Sequence, residues 1–214
     1  MNVSKALAFA LLIVAVIGGF LVYPMLPNTV PTHWNAAGQA DGFGDAWVGA
    51  FAFPMIMALV FLIFIVIPKI AVFKQNLKAF EAQYWQMALV LQIFFGLFFI
   101  VTLLPNFDVN ANYSQLFVLP LGFMFAAIGW LMPKFKRNFF VGIRTPWTLA
   151  NDEVWDKTHE LGGKLFMVAG ILTILAALLI EQVVWVAVGT VLVAALAAVV
   201  YSFIVFKKTE KPSL

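Results

Sequence analysis

Histidine and acidic side chains stand near one another at two places in this sequence. His33 is followed by Asp41, and His159 follows Asp152 and Asp156. A histidine beside a carboxylate can act as a general base, and two carboxylates with a histidine can ligate a divalent cation. No nucleophile is obvious beside either histidine, and protein zinc sites usually have three or four ligands. We therefore expect no catalytic residue, no metal and no cofactor, with a membrane-embedded hydrolase or lipid-modifying enzyme as the alternative.

Among the basic residues of the chain, Arg144 is the one that most suggests a ligand-binding role. A guanidinium group can bind phosphate or carboxylate through two parallel hydrogen bonds. It can equally hold a loop in place by donating to a backbone carbonyl at the end of a helix. The basic residues Lys134, Lys136 and Arg137 precede it and are expected to anchor the chain at anionic lipid headgroups.

These residues must be positioned by helices that cross a membrane. The 214 residues are 64% hydrophobic and 11% charged, whereas soluble domains carry about 25% charged residues. The mean hydropathy is +0.99. A membrane-spanning helix needs about 20 apolar residues. Six stretches of this kind are present: 6–23, 49–68, 84–104, 115–132, 163–181 and 183–206. The sequence therefore predicts an all-α polytopic membrane protein with six transmembrane helices and no substantial soluble domain.

The distribution of lysine and arginine predicts the orientation of the helices. With six spans, all 13 basic residues fall on the side that holds both termini, and basic residues near span ends are retained in the cytoplasm. On the other side all the charged residues are acidic, namely Asp41, Asp45, Asp108 and Glu181. Both termini are therefore predicted to be cytoplasmic, and the positive charge requires no nucleic acid to explain it.

The spans themselves carry little chemistry. None has an ionisable residue at its centre, and the interior polar side chains are Gln92, Thr102, Thr173 and Thr190. This pattern argues against an ion-coupled transporter, because such proteins place charged groups within the membrane. With no cysteine in the chain, disulfides and thiolate chemistry are excluded.

The polar groups are concentrated in two loops on opposite sides of the membrane. In the outer loop, residues 24–48, prolines disfavour a helix and glycines permit tight turns, so we expect a compact, ordered segment. Its candidate binding residues are His33, Trp34, Asn35 and Asp41. The alternative is that Trp34 and Trp47 belong to an interfacial aromatic belt while His33 and Asp41 close the loop by hydrogen bonding.

The inner loop, residues 133–162, combines a turn with the start of a helix. Gly142 and Pro146 mark the turn, and Asn151 with the acidic residues after it predicts a helix that runs on into the fifth span. Asp152, Asp156 and His159 could form a polar cluster on this helix. Ordinary salt bridges along a solvated helix are the alternative.

Two segments resemble a known family. The first consists of Pro31, His33, Trp34, Asn35, Gly38 and Asp41, followed by Phe53-Pro54, and resembles the N-terminal domain of unknown function that often accompanies SdpI proteins. The second reads NFFVGIRTPWTL at 138–149, followed by Trp155, Thr158-His159 and Gly162-Gly163, and resembles the SdpI signature. The chain divides accordingly into a first helical hairpin (1–68), two central spans (69–132) and a signature segment with the last two spans (133–214).

The resemblance implies a prokaryotic plasma-membrane protein of a family named for immunity to a secreted killing factor that acts on the membrane. We expect a non-enzymatic protein that binds a peptide toxin through the outer loop and the adjoining helices. A signal transducer that captures a cytoplasmic regulator through the inner loop is the alternative. The candidate partner-binding residues of the inner segment are Asn138, Arg144, Thr145, Pro146, Trp147, Trp155 and His159.

Overall fold

The computed structural model describes residues 2–72, 74–107, 113–180 and 183–210. Its α-helices, in chain order, are α1 (Val3–Val22), α2 (Ala46–Ile70), α3 (Lys74–Ala79), α4 (Glu81–Leu103), α5 (Tyr113–Leu131), α6 (Pro146–Ala150), α7 (Asp152–Leu179) and α8 (Val184–Thr209). All except α3 and α6 are long and apolar enough to cross a membrane, which gives six candidate spans in the described part of the chain. The six predicted spans are thus confirmed.

Successive long helices run in alternate directions and give the bundle two distinct ends. One end, here called the hairpin end, carries the segment between α1 and α2. The other, here called the terminal end, holds the start of α1, the end of α8 and the segment between α5 and α7. Many leucine, isoleucine, valine and phenylalanine side chains along the helices are exposed, as expected for surfaces that contact lipid.

The segment at the hairpin end contains a β-hairpin that the all-α prediction missed. Strand β1 (Thr29–Trp34) pairs with the antiparallel strand β2 (Ala40–Asp45), with irregular register around His33. Val30 of β1 is fully buried, and a Cβ atom at Gly49 of α2 would lie 2.8 Å from the Val30 side chain. The hairpin therefore rests directly on α2, which agrees with the predicted compact loop.

Helices α5 and α7 approach one another closely through glycines. A Cβ atom at Gly129 would lie 2.4 Å from the backbone nitrogen of Met167, and one at Gly170 would lie 2.4 Å from that of Ala126. Small residues at a membrane helix interface allow such backbone contact and the van der Waals attraction that comes with it. This interface places the end of α5 and the start of α7, and so positions the loop between them.

The polar side chains inside the spans tie neighbouring helices together. Gln92 of α4 donates from Nε2 to the carbonyl oxygen of Met57 in α2 (2.8 Å), and Thr173 of α7 lies 3.2 Å from Thr190 of α8 between their hydroxyl oxygens. At the terminal end the Tyr84 hydroxyl donates to the Phe64 carbonyl (3.0 Å). Thr102 donates to the Phe99 carbonyl of its own helix (2.9 Å), so three of the four interior polar side chains join neighbouring helices.

The orientation of the helices stays a prediction, because the structure alone does not place the two ends relative to the cytoplasm. Three residues used in that argument, Asp108, Glu181 and Lys211, lie outside the described residues.

Candidate functional site

The hairpin brings His33 and Asp41 together across its two strands. His33 Nδ1 and Asp41 Oδ1 are 2.5 Å apart, and both side chains are well exposed, at 72% and 45% respectively. A Cβ atom at Gly42 would lie 2.8 Å from the His33 Cβ. The base of the His33 side chain therefore packs against Gly42, while its Nδ1–H donates to the carboxylate of Asp41.

Asn35 shapes the turn that joins the two strands. Its side-chain oxygen accepts hydrogen bonds from the backbone nitrogens of Ala37 (3.0 Å) and Gln39 (3.1 Å). Gly38 has φ +76°, a conformation that favours glycine. A Cβ atom there would lie 2.5 Å from the Ser114 nitrogen at the start of α5. The turn is thus held by Asn35 and seated against α5.

Beneath the hairpin lies a cleft of about 320 Å³, here called the hairpin cleft. Its aromatic walls come from β1, α2, α4 and α5, namely Trp34, Phe53, Phe98 and Phe117. The rings of Trp34 and Phe117 are 4.9 Å apart between centroids, and those of Phe98 and Phe117 are 5.4 Å apart. The remaining lining residues are Thr32, His33, Asn35, Ala36, Thr102, Ser114 and Val184.

The hairpin cleft combines an apolar interior with a polar rim. The aromatic rings offer contact area to an apolar side chain or acyl group, and His33 and Asn35 at the rim offer hydrogen bonds. Among the described residues no group of three or more histidine, cysteine, aspartate or glutamate side chains could hold a metal ion. His33 and Asp41 by themselves form a hydrogen-bonded pair.

At the terminal end, residues 135–145 form a closely hydrogen-bonded loop, here called the signature loop. Asn138 is 1% exposed, and its side-chain oxygen accepts from the backbone nitrogens of Phe140 and Val141, both at 2.8 Å. Its amide nitrogen donates to the carbonyls of Lys136 (2.8 Å) and Val141 (3.2 Å). All the hydrogen-bonding capacity of Asn138 is therefore used within the loop.

Trp155 and His159 of α7 form the buried support of the signature loop. The Trp155 indole donates to the Phe135 carbonyl (2.8 Å). The rings of Trp155 and His159 stack with their centroids 4.0 Å apart. His159 donates from Nδ1 to the Trp155 carbonyl (2.8 Å) and accepts at Nε2 from the Ile143 backbone nitrogen (2.9 Å). Accepting at Nε2 requires a neutral imidazole, so His159 is a structural residue here.

Thr145, Pro146 and Trp147 begin the short helix α6. Thr145 is its N-cap and forms a capping box with Thr148, and Pro146 occupies the first helical turn, where its missing N–H is harmless. The Thr145 hydroxyl lies 3.1 Å from that of Ser202 in α8, and the Trp147 ring lies 5.0 Å from the Phe203 ring. Helix α6 is therefore fastened to α8.

Arg144 projects from the signature loop and is exposed. Its Nη1 donates to the Phe139 carbonyl at 2.7 Å, so it braces the loop while presenting its charge to solvent. This arrangement agrees with the loop-stapling interpretation, although the acceptor is a loop carbonyl and not one at a helix end. The guanidinium nevertheless has further donors to offer a ligand.

The acidic residues of α7 are not grouped around His159. Asp152 pairs with Arg137 (2.8 Å), Asp156 lies 3.9 Å from Lys136, and His159 is fully buried. Helix α7 begins at the predicted N-cap Asn151, whose side chain accepts from the nitrogens at 153 (2.8 Å) and 154 (3.2 Å). The structure thus confirms the predicted helix and gives the salt-bridged alternative in place of the polar cluster.

The candidate residues therefore form two groups at opposite ends of the bundle. Several contributors were missed from sequence. Phe98 and Phe117 reach the hairpin cleft from separate helices, and no local pattern marks them among the 23 phenylalanines of the chain, whereas Phe53 belongs to the first motif of the family resemblance. Thr148 could have been found, because its spacing from Thr145 is that of a capping box.

Comparison with known proteins matches both segments to described families. Residues 10–58 match a domain of unknown function, DUF1648, and residues 134–202 match the SdpI/YfhL protein family. The chain thus carries an SdpI/YfhL segment preceded by a DUF1648 segment. The DUF1648 segment includes most of α1, the β-hairpin and the first half of α2. The SdpI/YfhL segment includes the signature loop, α6, α7 and most of α8.

A relative similar over nearly its whole length is Immunity protein SdpI of Bacillus subtilis (strain 168). The two are 25% identical over 191 residues, which cover 88% of each chain. No solved structure matches this chain. The predicted family resemblance is confirmed, and the six candidate spans are consistent with a prokaryotic membrane protein.

Proposed function

We propose that this protein protects its host by binding a secreted, membrane-active peptide at the hairpin cleft, without chemical conversion of the peptide. The hairpin cleft carries the proposal. It is an aromatic-walled cavity at one end of a membrane bundle, covered by a hairpin whose turn is seated against α5. The name of the Bacillus subtilis relative, an immunity protein, supports the same function.

The chemistry of the hairpin cleft suits a peptide that partitions into membranes. Trp34 and Phe117 would contact an apolar or aromatic side chain, and burial of such a group contributes about 1.5–3 kcal/mol. His33 and Asn35 at the rim would hydrogen-bond the adjoining peptide backbone. The exposed Phe43, at 62%, lies at the same end of the bundle and would offer a further apolar contact to the approaching peptide.

Survival of a toxin-sensitive host tests the proposal. Cells expressing the wild type should survive the secreted killing factor for which the SdpI family is named, and Trp34→Ala should abolish most of the protection. Trp47→Ala is the matched control, because this tryptophan is at the same end but does not line the cleft. Unchanged killing with the wild type, against this factor and related peptides, would refute the immunity function. Equal protection by Trp34→Ala would refute the role of the cleft.

A second proposal is that the signature loop binds a cytoplasmic regulator. The observation in its favour is a closely hydrogen-bonded loop that presents Arg144 and the 42% exposed Phe139 at the terminal end. Affinity purification should then recover a partner with the wild type and lose it with Arg144→Ala, whereas Lys208→Ala in α8 should retain it. Recovery of no partner with any of the three proteins would contradict this second function.

A further inference from the structure

Four lysines converge on a second pocket, at the terminal end. The pocket has a volume of about 340 Å³, within the range of about 300–1,000 Å³ that is typical of small-molecule sites. Lys5 comes from α1, Lys69 from the end of α2, and Lys74 and Lys78 from α3. The residues that provide this positive charge are thus brought together from three helices by the fold.

Among the described residues, these lysines lack the acidic partner that several other lysines have. Lys136, Lys157 and Lys164 each lie within 4.0 Å of a carboxylate. In the described residues no such ion pair involves a lysine of this pocket, and Glu81 is the one acidic side chain among the described residues that line it. Uncompensated like charges repel one another, so the pocket would be stabilised by an anion.

The floor of the same pocket is apolar and buried. Tyr84 is 1% exposed, Trp85 4% and Leu77 5%. Lys5 lies over the Trp85 ring, with its Nζ 4.7 Å from the ring centroid, which is a favourable cation–π distance. A basic rim over an aromatic floor at the end of membrane helices matches a phosphate group that continues into an apolar chain.

We propose that this pocket binds the headgroup of an anionic phospholipid. The lysines would contact the phosphate, and the apolar floor would receive the glycerol and the start of the acyl chains, which a free phosphate ion lacks. Basic pockets between membrane helices on the cytoplasmic side bind such headgroups, and the predicted orientation places this end in the cytoplasm. The site is separate from the hairpin cleft and does not depend on immunity function.

The pocket is connected to the signature loop through α3. Asn76, between the two lysines of this helix, donates to the Arg137 carbonyl at 2.8 Å. Arg137 in turn donates to the Leu149 carbonyl at the end of α6 (2.8 Å) and pairs with Asp152. A lipid bound to Lys74 and Lys78 would therefore hold α3 against the signature loop.

Native mass spectrometry of the purified full-length protein tests this site. Dioctanoyl-phosphatidylglycerol and dioctanoyl-phosphatidylcholine carry the same tails, but only the first has a net negative charge. We expect the wild type to prefer the first at least tenfold. The combined variant Lys5→Gln, Lys69→Gln, Lys74→Gln and Lys78→Gln should lose that preference. The control variant Lys157→Gln, Lys164→Gln, Lys207→Gln and Lys208→Gln removes the same charge from the same end, outside the pocket, and should retain it.

Three results would overturn the proposal. They are equal binding of the two lipids by the wild type, an unchanged preference in the pocket variant, and displacement of the lipid by inorganic phosphate at equal concentration, which would indicate a site for free anions. If the pocket variant with four substitutions does not fold, the double variant Lys74→Gln with Lys78→Gln replaces it, since both side chains are exposed. This pair should still weaken binding of the anionic lipid markedly, by about fivefold for each lysine.

Discussion

Among single residues, Gly142 and His159 set the shape of the signature loop. Gly142 has φ +103°, a conformation that L side chains rarely adopt. A Cβ atom at this position would lie within 2.3 Å of His159 Nε2, the atom that accepts the hydrogen bond from Ile143. The glycine therefore permits both the turn and the close approach of the imidazole.

Gly142→Ala should destabilise the protein by roughly 2–6 kcal/mol. Backbone strain contributes about 1–3 kcal/mol, and crowding against the buried imidazole contributes about 1–3 kcal/mol. Unfolding of the purified protein in mixed micelles with increasing dodecyl sulfate measures the change. The control is Gly189→Ala in α8, where an added Cβ meets no atom within 4 Å, so its effect should stay within about 1 kcal/mol. Equal stability of the two variants would contradict the account of Gly142.

The sequence identified the motif residues of the signature loop but did not reveal the role of each one. Asn138 and His159 were predicted to bind a partner, and in the structure the side chains of both form hydrogen bonds within the protein. A buried polar residue and a ligand-binding residue look the same in a sequence, because both need a polar group at a defined place. Arg144 and Trp34, which are accessible, remain candidates for contact with a partner.

At the scale of elements, the glycine contacts between α5 and α7 hold the second half of the bundle together. Gly129→Ala should lower the stability by about 1–3 kcal/mol, because the new methyl group would meet backbone 2.4 Å away in the opposite helix. Gly96→Ala is the control, since its nearest neighbour is the flexible end of Met57 at 3.8 Å. The same dodecyl sulfate titration compares them, and a Gly129→Ala variant as stable as Gly96→Ala would show that the helices can separate without cost.

The long helices were predictable, and the β-hairpin was not. A run of about 20 apolar residues has few alternatives to a spanning helix, because lipid cannot satisfy backbone hydrogen bonds. The hairpin strands contain one proline and two glycines, and both residue types are depleted in strands. Their pairing depends on the His33–Asp41 contact, the Asn35 turn and the surface of α2, none of which a local pattern reveals.

For the whole molecule, the predicted orientation can be tested with single cysteines, because the native chain has none. Ala37→Cys in the hairpin turn and Glu210→Cys at the end of α8 are both at exposed positions. In intact cells of a host without an outer membrane, an impermeant maleimide should label position 37. Position 210 should be labelled only after the membrane is permeabilised, because basic span ends stay inside. Labelling of 210 in intact cells would reverse the assignment of the two ends.

The two ends of the bundle carry different candidate binding sites. The hairpin end offers an aromatic cleft, the terminal end holds a closely hydrogen-bonded loop and a basic pocket, and the helices between them are tied by small residues and buried polar contacts. In this account the peptide is recognised at the hairpin end, while the terminal end anchors the protein in its bilayer.

Equilibrium binding of the killing factor to the purified protein in nanodiscs tests the central claim most directly. The fluorescently labelled peptide should bind wild type and Trp47→Ala with similar affinity, and Trp34→Ala at least tenfold more weakly, because loss of one aromatic wall forfeits roughly 1.5–3 kcal/mol of contact. The peptide should be recovered intact by mass spectrometry. Equal affinity of all three proteins for the peptide, or recovery of a cleaved or modified peptide, would contradict protection by binding at the hairpin cleft.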